Sequence, residues 1–140
     1  MIVDYVTKAG GRTYFEVPIG GGASSSLRRL DAVRVAAPGA AEYMDFNSEM
    51  FLEDLRVATV TGHEVELIEA KRRLNRPVIG EIIAGGDLFC ERFPDHGPIR
   101  LAVVVGRDGD DAALHRVCDR RGIRVHLREW RPGQQPSATS

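Results

Sequence analysis

The stretch Ile99–Gly106 (IRLAVVVG) constrains the fold most, because it is apolar on both sides of a strand and lies between two helical patterns. A strand of that kind belongs inside a sheet, with cover on both faces. Upstream, residues 77–92 place Ile79, Ile82, Ile83, Gly86, Phe89, Cys90 and Phe93 on one helical stripe. Asn75 or Arg76 is the cap, and Pro77 sits in the first turn, where a missing N–H costs nothing. Gly85-Gly86 lowers helix propensity by roughly 1 kcal/mol per glycine, which predicts a close helix–sheet approach or a kink. Downstream, residues 108–121 form a second helix capped by Asp108 or Asp110, with Leu114, Val117 and Cys118 inward and Gly122 as its stop. Residues 123–127 (IRVHL) close the pattern as a strand, giving a parallel strand–helix–strand crossover.

Before this unit comes a β-rich half. Residues 12–19 (RTYFEVPI) alternate, with Phe15, Val17 and Ile19 on one side and Tyr14 and Glu16 on the other. Residues 20–26 (GGGASSS) are a flexible connection; they lack the Lys-Ser/Thr of a phosphate-cradling loop. Residues 27–36 form a second strand, with Leu27, Arg29, Asp31, Val33 and Val35 on one face and Arg28, Leu30, Ala32 and Arg34 on the other. Residues 37–40 break it. Asn47 or Ser48 then caps a short helix through Glu53 or Leu55, and residues 55–61 turn β-like, closing a hairpin onto Val65–Lys71.

Length and composition fit one α/β domain over residues 1–130, a central mixed β-sheet flanked by helices, with a disordered polar tail at 131–140. No apolar run approaches ~18 residues, and residues 1–10 show no secretory pattern. Cys90 and Cys118 have no metal-ligand spacing; buried free thiols in a reducing, cytoplasmic setting are expected, a single disulfide being the alternative. A net charge of −1 argues against a protein that coats nucleic acid indiscriminately. Local basic clusters at Lys71-Arg72-Arg73 with Arg76, and at Arg120-Arg121 with Arg124, leave a polyanionic partner open.

Candidate chemistry centres on Glu69-Ala70-Lys71. In the strand Val65–Lys71, Val65, Leu67, Glu69 and Lys71 share one face. A carboxylate and an ammonium thus stand side by side at the end of an apolar row, where an unpaired charge would be costly. A strand-end ion pair is the plain alternative. Asp31 repeats the placement in line with Val33 and Val35, and buried acids are rare unless paired or holding metal. His63 at a turn tip and His126 on a polar strand face are expected to be solvent-exposed, and Glu81 to face solvent from its helix. Trp130 is expected at the edge of the fold.

With these residues in place, the element order resembles the PD-(D/E)XK nuclease superfamily over roughly residues 14–127, in particular a compact single-domain branch with the restriction-endonuclease-like fold. In that superfamily an Asp on one strand and an acid-x-Lys on the next meet at a sheet fork, matching Asp31 and Glu69-Ala70-Lys71. The resemblance implies a metal-dependent DNA endonuclease using Mg²⁺ or Mn²⁺. Asp31, Glu69 and the Ala70 backbone carbonyl would be metal ligands, with Glu16 as the early acid, and Lys71 would be catalytic. Arg29, Arg72, Arg73, Asn75 and Arg76 are candidate nucleic-acid contacts, a solvated basic loop being their plain alternative, and Glu81 stands where the branch has Gln. Pairing of two copies is a family-level expectation.

Three departures stand out. The Asp motif is Arg29-Leu30-Asp31, the Asp31–Glu69 separation is long, and no helix is legible before the first strand. The alternative function is a catalytically inactive module of the same fold, acting in nucleic-acid binding or assembly.

Overall fold

The structure is a computed structural model that describes residues 1–19, 29–36, 42–45 and 62–130. Six strands form one mixed sheet: β1 (Arg12–Pro18), β2 (Arg29–Val35), β3 (Glu42–Asp45), β4 (Val65–Lys71), β5 (Ile99–Gly106) and β6 (Ile123–Arg128), in the spatial order β3-β1-β2-β4-β5-β6. The pairs β1–β2 and β2–β4 are antiparallel, whereas β1–β3, β4–β5 and β5–β6 are parallel. The expected α/β class with a central mixed sheet flanked by helices is what the chain adopts.

Helix α1 (Ile2–Ala9) precedes the first strand, where the sequence pattern showed none. Its β-branched residues Ile2, Val3, Val6 and Thr7 are weak helix formers. Tertiary burial compensates: Met1, Ile2, Tyr5 and Val6 pack on Phe15, Ala32, Ile68, Ala70, Ala102 and Val104. Gly10 and Gly11, both at positive φ (78° and 80°), then turn the chain into β1.

The other face of the sheet is covered by α2 (Arg76–Arg92) and α3 (Ala112–Arg120), whose core residues include Val78, Ile82, Phe89 and Cys118. Asn75 caps α2 by accepting the N–H of Val78 at 2.9 Å, with proline in the first turn. At Gly85 and Gly86 the helix is continuous and lies close on the sheet. A Cβ at Gly85 would come within 2.7 Å of Leu30, and one at Gly86 within 2.9 Å of Leu101. The second predicted helix starts later than expected: Arg107–Gly109 is a 3₁₀ turn, and Asp111 is the cap, accepting the Leu114 N–H at 3.0 Å. Cys90 and Cys118 are free thiols, Cys118 buried and Cys90 half-buried.

Strand β4 pairs with β2 on one side over Val65–Ile68 and with β5 on the other over Val65–Lys71. The predicted hairpin partner of this strand, residues 55–61, lies outside the described residues. The expected short helix, the loop at 20–26 and the polar tail lie outside the described residues.

The end of β4 is clamped to the β5–α3 connection. Gly106 N–H donates to the Arg72 carbonyl (3.1 Å), and Leu74 N–H to the Gly109 carbonyl (2.8 Å). A Cβ at Gly109 would collide with the Arg72 carbonyl, whereas one at Gly80 on exposed α2 would meet nothing. Gly109→Ala is therefore expected to cost about 1–3 kcal/mol by overpacking, and Gly80→Ala to add about 0.5–1 kcal/mol through helix propensity. Urea denaturation of the two variants checks the opposite signs.

Candidate active site at the β2–β4 fork

Strands β2 and β4 pair from Val35↔Val65 to Ala32↔Ile68 and then part. One further step would set Asp31 opposite Glu69. Instead, the Asp31 carboxylate accepts the Ala70 backbone N–H at 2.8 Å, taking the place of a ladder bond. The N–H and C=O of one strand residue point to the same side, so the Ala70 carbonyl faces the same fork. On the other side of β2, the register runs Phe15↔Ala32 and Val17↔Leu30, which sets Glu16 level with Asp31. Glu16, Asp31 and Glu69 thus stand level on three adjacent strands.

Glu16 carries the only positive φ of a non-glycine among the described residues, 53°. A left-handed residue within a strand costs of order 1–3 kcal/mol, and such strain concentrates at functional sites. It also resets the alternation. Phe15 packs with the α1 cluster while Val17 and Ile19 pack with the α2 cluster, correcting the expectation that all three share a face. Leu30 likewise joins the α2 cluster with Val33 and Val35, whereas Ala32 joins the α1 cluster.

The electrostatics follow from crowding acids at a dry fork. Glu69 is 6% exposed. Burial pushes its carboxyl up to about 9, reinforced by the Asp31 carboxylate and Glu81 and opposed by Lys71. Asp31 is raised as well, by burial and by Glu16, against the Ala70 N–H, the Glu69 hydrogen bond and Lys71. The neutral Glu69 carboxyl donates to the Asp31 carboxylate, so the pair shares one proton.

Lys71 is half-exposed at the rim, its Nζ 4.0 Å from Glu81 Oε2. Glu81 faces solvent as expected, yet it leans toward Lys71. Both groups are over 40% exposed, so the attraction is weak.

The basic residues separate into two groups. Arg72 is committed elsewhere, with its guanidinium 3.1 Å from Asp108 and 4.4 Å over the Trp130 ring. Asn75 is occupied by capping α2. Both of these predicted phosphate contacts thus have partners within the chain. Arg29, Arg73 and Arg76 are exposed on β2, the β4–α2 loop and the start of α2.

Two hard carboxylates and a backbone carbonyl at one fork are a donor set of the kind Mg²⁺ takes, since that ion keeps several waters and uses few protein oxygens. Among the described residues, no three His, Cys, Asp or Glu side chains form a ready-made metal cage. The donor chemistry therefore fits a partly hydrated ion held by Asp31, Glu69 and the Ala70 carbonyl.

Stability should report the charge crowding. Between about pH 4.5 and about pH 9 native Glu69 holds a proton that the unfolded chain has released. Stability therefore falls as pH rises through that window, by up to ~1.4 kcal/mol per unit. Urea melts in EDTA at pH 6 and 8.5 should show this loss, and Asp31→Asn should shrink it. A pH-independent parent would refute the coupled pair.

A second buried acid escaped the sequence reading. Glu66 is fully buried on the opposite face of β4, where the Tyr5 hydroxyl donates to both its oxygens (2.7 and 2.8 Å) and Arg34 Nε donates at 3.0 Å. His126 Nε2 lies 3.6 Å away and its ring stacks on Tyr5 at 4.2 Å, correcting the expected solvent exposure of His126. Burial alone would raise Glu66, but the nearby His126 ring and the hydrogen bonds from Tyr5 and Arg34 outweigh it and hold the carboxyl at about 2. An acid inside a strand apolar on both faces was the available signal.

Comparison with family models, curated proteins and solved structures gave no match. Among the described residues no helix is long and apolar enough to cross a membrane.

Proposed function

We propose that the chain is a divalent-metal-dependent phosphodiesterase acting on nucleic acid, most simply a DNA endonuclease of the PD-(D/E)XK type. The observation that carries this reading is the fork, where Asp31 is pinned by the Ala70 N–H beside buried Glu69, with Lys71 two residues on. A divalent cation there supplies charge neutralisation at the phosphoryl oxygens and acidifies a bound water.

The chain's own residues do the rest. The Ala70 N–H fixes the Asp31 carboxylate before substrate arrives, so no reorganisation is needed at the moment of reaction. Glu69, dry and flanked by acids, holds its proton more tightly than a free carboxyl, and positive charge brought to the fork would favour its release. Lys71 at the rim holds the attacking water and offsets negative charge on the phosphate. Arg29, Arg73 and Arg76, exposed around the fork, place the phosphodiester backbone.

The test is cleavage of plasmid and linear DNA with Mg²⁺ or Mn²⁺ against an EDTA control. Glu81, whose carboxylate approaches Lys71 to 4.0 Å and adds negative charge beside the fork, favours a second reading, a catalytically silent module acting in nucleic-acid binding or assembly. Metal titration separates the two. Binding at millimolar Mg²⁺ or Mn²⁺ supports the enzyme, and its absence the silent module.

A further inference from the structure

The face of the sheet under α1 carries a basic stripe separate from the fork. Ala32, Ile68, Ala70, Ala102 and Val104 pack toward α1. Alternation therefore puts Arg34 on β2, Glu66 on β4 and Arg100 on β5 on that same face. On β6, Ile123 packs in the α2 cluster and Val125 and Leu127 lie against it, so Arg124, His126 and Arg128 turn toward the α1 side.

Helix α1 has eight residues, about 12 Å of cover; Ala102 and Val104 of β5 are buried beneath it, while Arg100 and Arg124 beyond its margin are exposed. The side chains of Arg100 and Arg124 are 49% and 42% exposed and that of His126 23%.

Charge on this face is unbalanced. Four arginines meet two glutamates, Glu66 and the Glu64 that pairs with Arg100 at 3.0 Å, while Asp4 and Lys8 on α1 cancel. Glu66 is already served by Tyr5 and Arg34, and Arg124 approaches it only to 4.0 Å. Two buried donors, His126 Nε2 and Arg128 Nε, have no hydrogen-bond partner among the described residues.

Spacing gives the stripe a direction. Arg124, His126 and Arg128 recur every second residue, about 6.6 Å apart along an edge strand. They run from the level of Ile68 to the end of β4, where Gly106 pairs with Arg128. Regularly spaced guanidinium groups in excess of local acids suit repeated phosphates along one strand, because arginine grips phosphate oxygens bidentately.

We propose that Arg100, Arg124, His126 and Arg128 form a docking surface for the phosphodiester backbone of a nucleic-acid strand, with Arg34 buried beneath them and held by Glu66. The surface goes beyond the proposed hydrolysis at the fork and is tested without it.

The probe is a fluorescein-labelled 20-mer DNA duplex, with anisotropy measured in EDTA across a salt series. Arg100→Ala/Arg124→Ala is expected to weaken binding about tenfold or more and to lower the log–log salt slope by about 2. Arg116→Ala/Arg120→Ala, which removes the same charge from exposed α3 on the other face, should leave affinity within about twofold. Cleavage of the same variants with Mg²⁺ is assayed separately, so loss of hydrolysis and loss of docking are distinguished. Thermal melts confirm that each variant is folded.

Three results would overturn the surface: no binding by the parent, equal weakening by the α3 pair, or binding of labelled polyglutamate in place of DNA.

Discussion

Under the proposed function, Asp31→Ala and Lys71→Ala are each expected to lower metal-dependent cleavage by about 10³-fold or more, equivalent to about 4 kcal/mol of transition-state stabilisation. The two losses have different origins under the proposed mechanism. Asp31 is the carboxylate that the Ala70 N–H holds in place at 2.8 Å, so its removal takes away an oriented charge at the fork. Lys71 sits at the rim, and its removal leaves Asp31 and Glu69 intact. The Lys71 variant is therefore expected still to bind Mn²⁺ in a titration while failing to cut, and the Asp31 variant to lose both.

Folding is a separate matter. Asp31→Ala leaves the Ala70 N–H without its acceptor, a cost of about 1 kcal/mol, and relieves the repulsion that raises Glu69. Asp31→Asn keeps a carbonyl oxygen for that N–H and is the cleaner variant. Cleavage by either Asp31 variant or by Lys71→Ala at the parent rate would remove the proposed mechanism.

The largest stability effect is expected at Glu66. Glu66→Ala leaves Arg34, whose side chain is only 10% exposed, as an uncompensated cation and strips the Tyr5 hydroxyl of its acceptor. Breaking a buried pair from one side costs about 3–5 kcal/mol, a large share of the ~5–15 kcal/mol that holds a domain of this size. α1 should loosen first, because Tyr5 ties it to β4 through this carboxylate.

Replacing both partners, Glu66→Ala with Arg34→Met, should recover much of the loss, since no charge is then stranded. Urea denaturation of the single and double variants measures the coupling. The pH sign opposes that of Glu69. Glu66 has its carboxyl lowered to about 2, so its stabilisation is complete above about pH 4.5 and is lost as pH falls toward 2. A neutral Glu66→Ala variant would show that the Arg34–Glu66 pair merely breaks even with solvent.

Much of the fold was legible because it rests on local periodicity. The apolar run Ile99–Gly106, the stripe and Asn75 cap of α2, and the alternation of β4 and β6 each satisfy burial with neighbouring residues in the chain. Asp31, Glu69 and Lys71 were legible for the same reason, as charges in line with apolar rows.

Long-range pairing decided the rest. α1 lacks helix propensity and exists through burial against β1, β2, β4 and β5. β4 takes β2 and β5 as partners, because register is set by which faces bury together. Glu66 and His126 meet Tyr5 and Arg34 from four different elements, so no spacing in the chain reveals their contact.

The sequence alone thus determined that Glu69 and Lys71 share the end of an apolar strand. Only the tertiary structure decided that β2 parts from β4 at that level, with Asp31 bound to the Ala70 N–H and Glu16 strained alongside. A strand's own pattern specifies which way its side chains point, whereas the place where two strands separate depends on the packing of both.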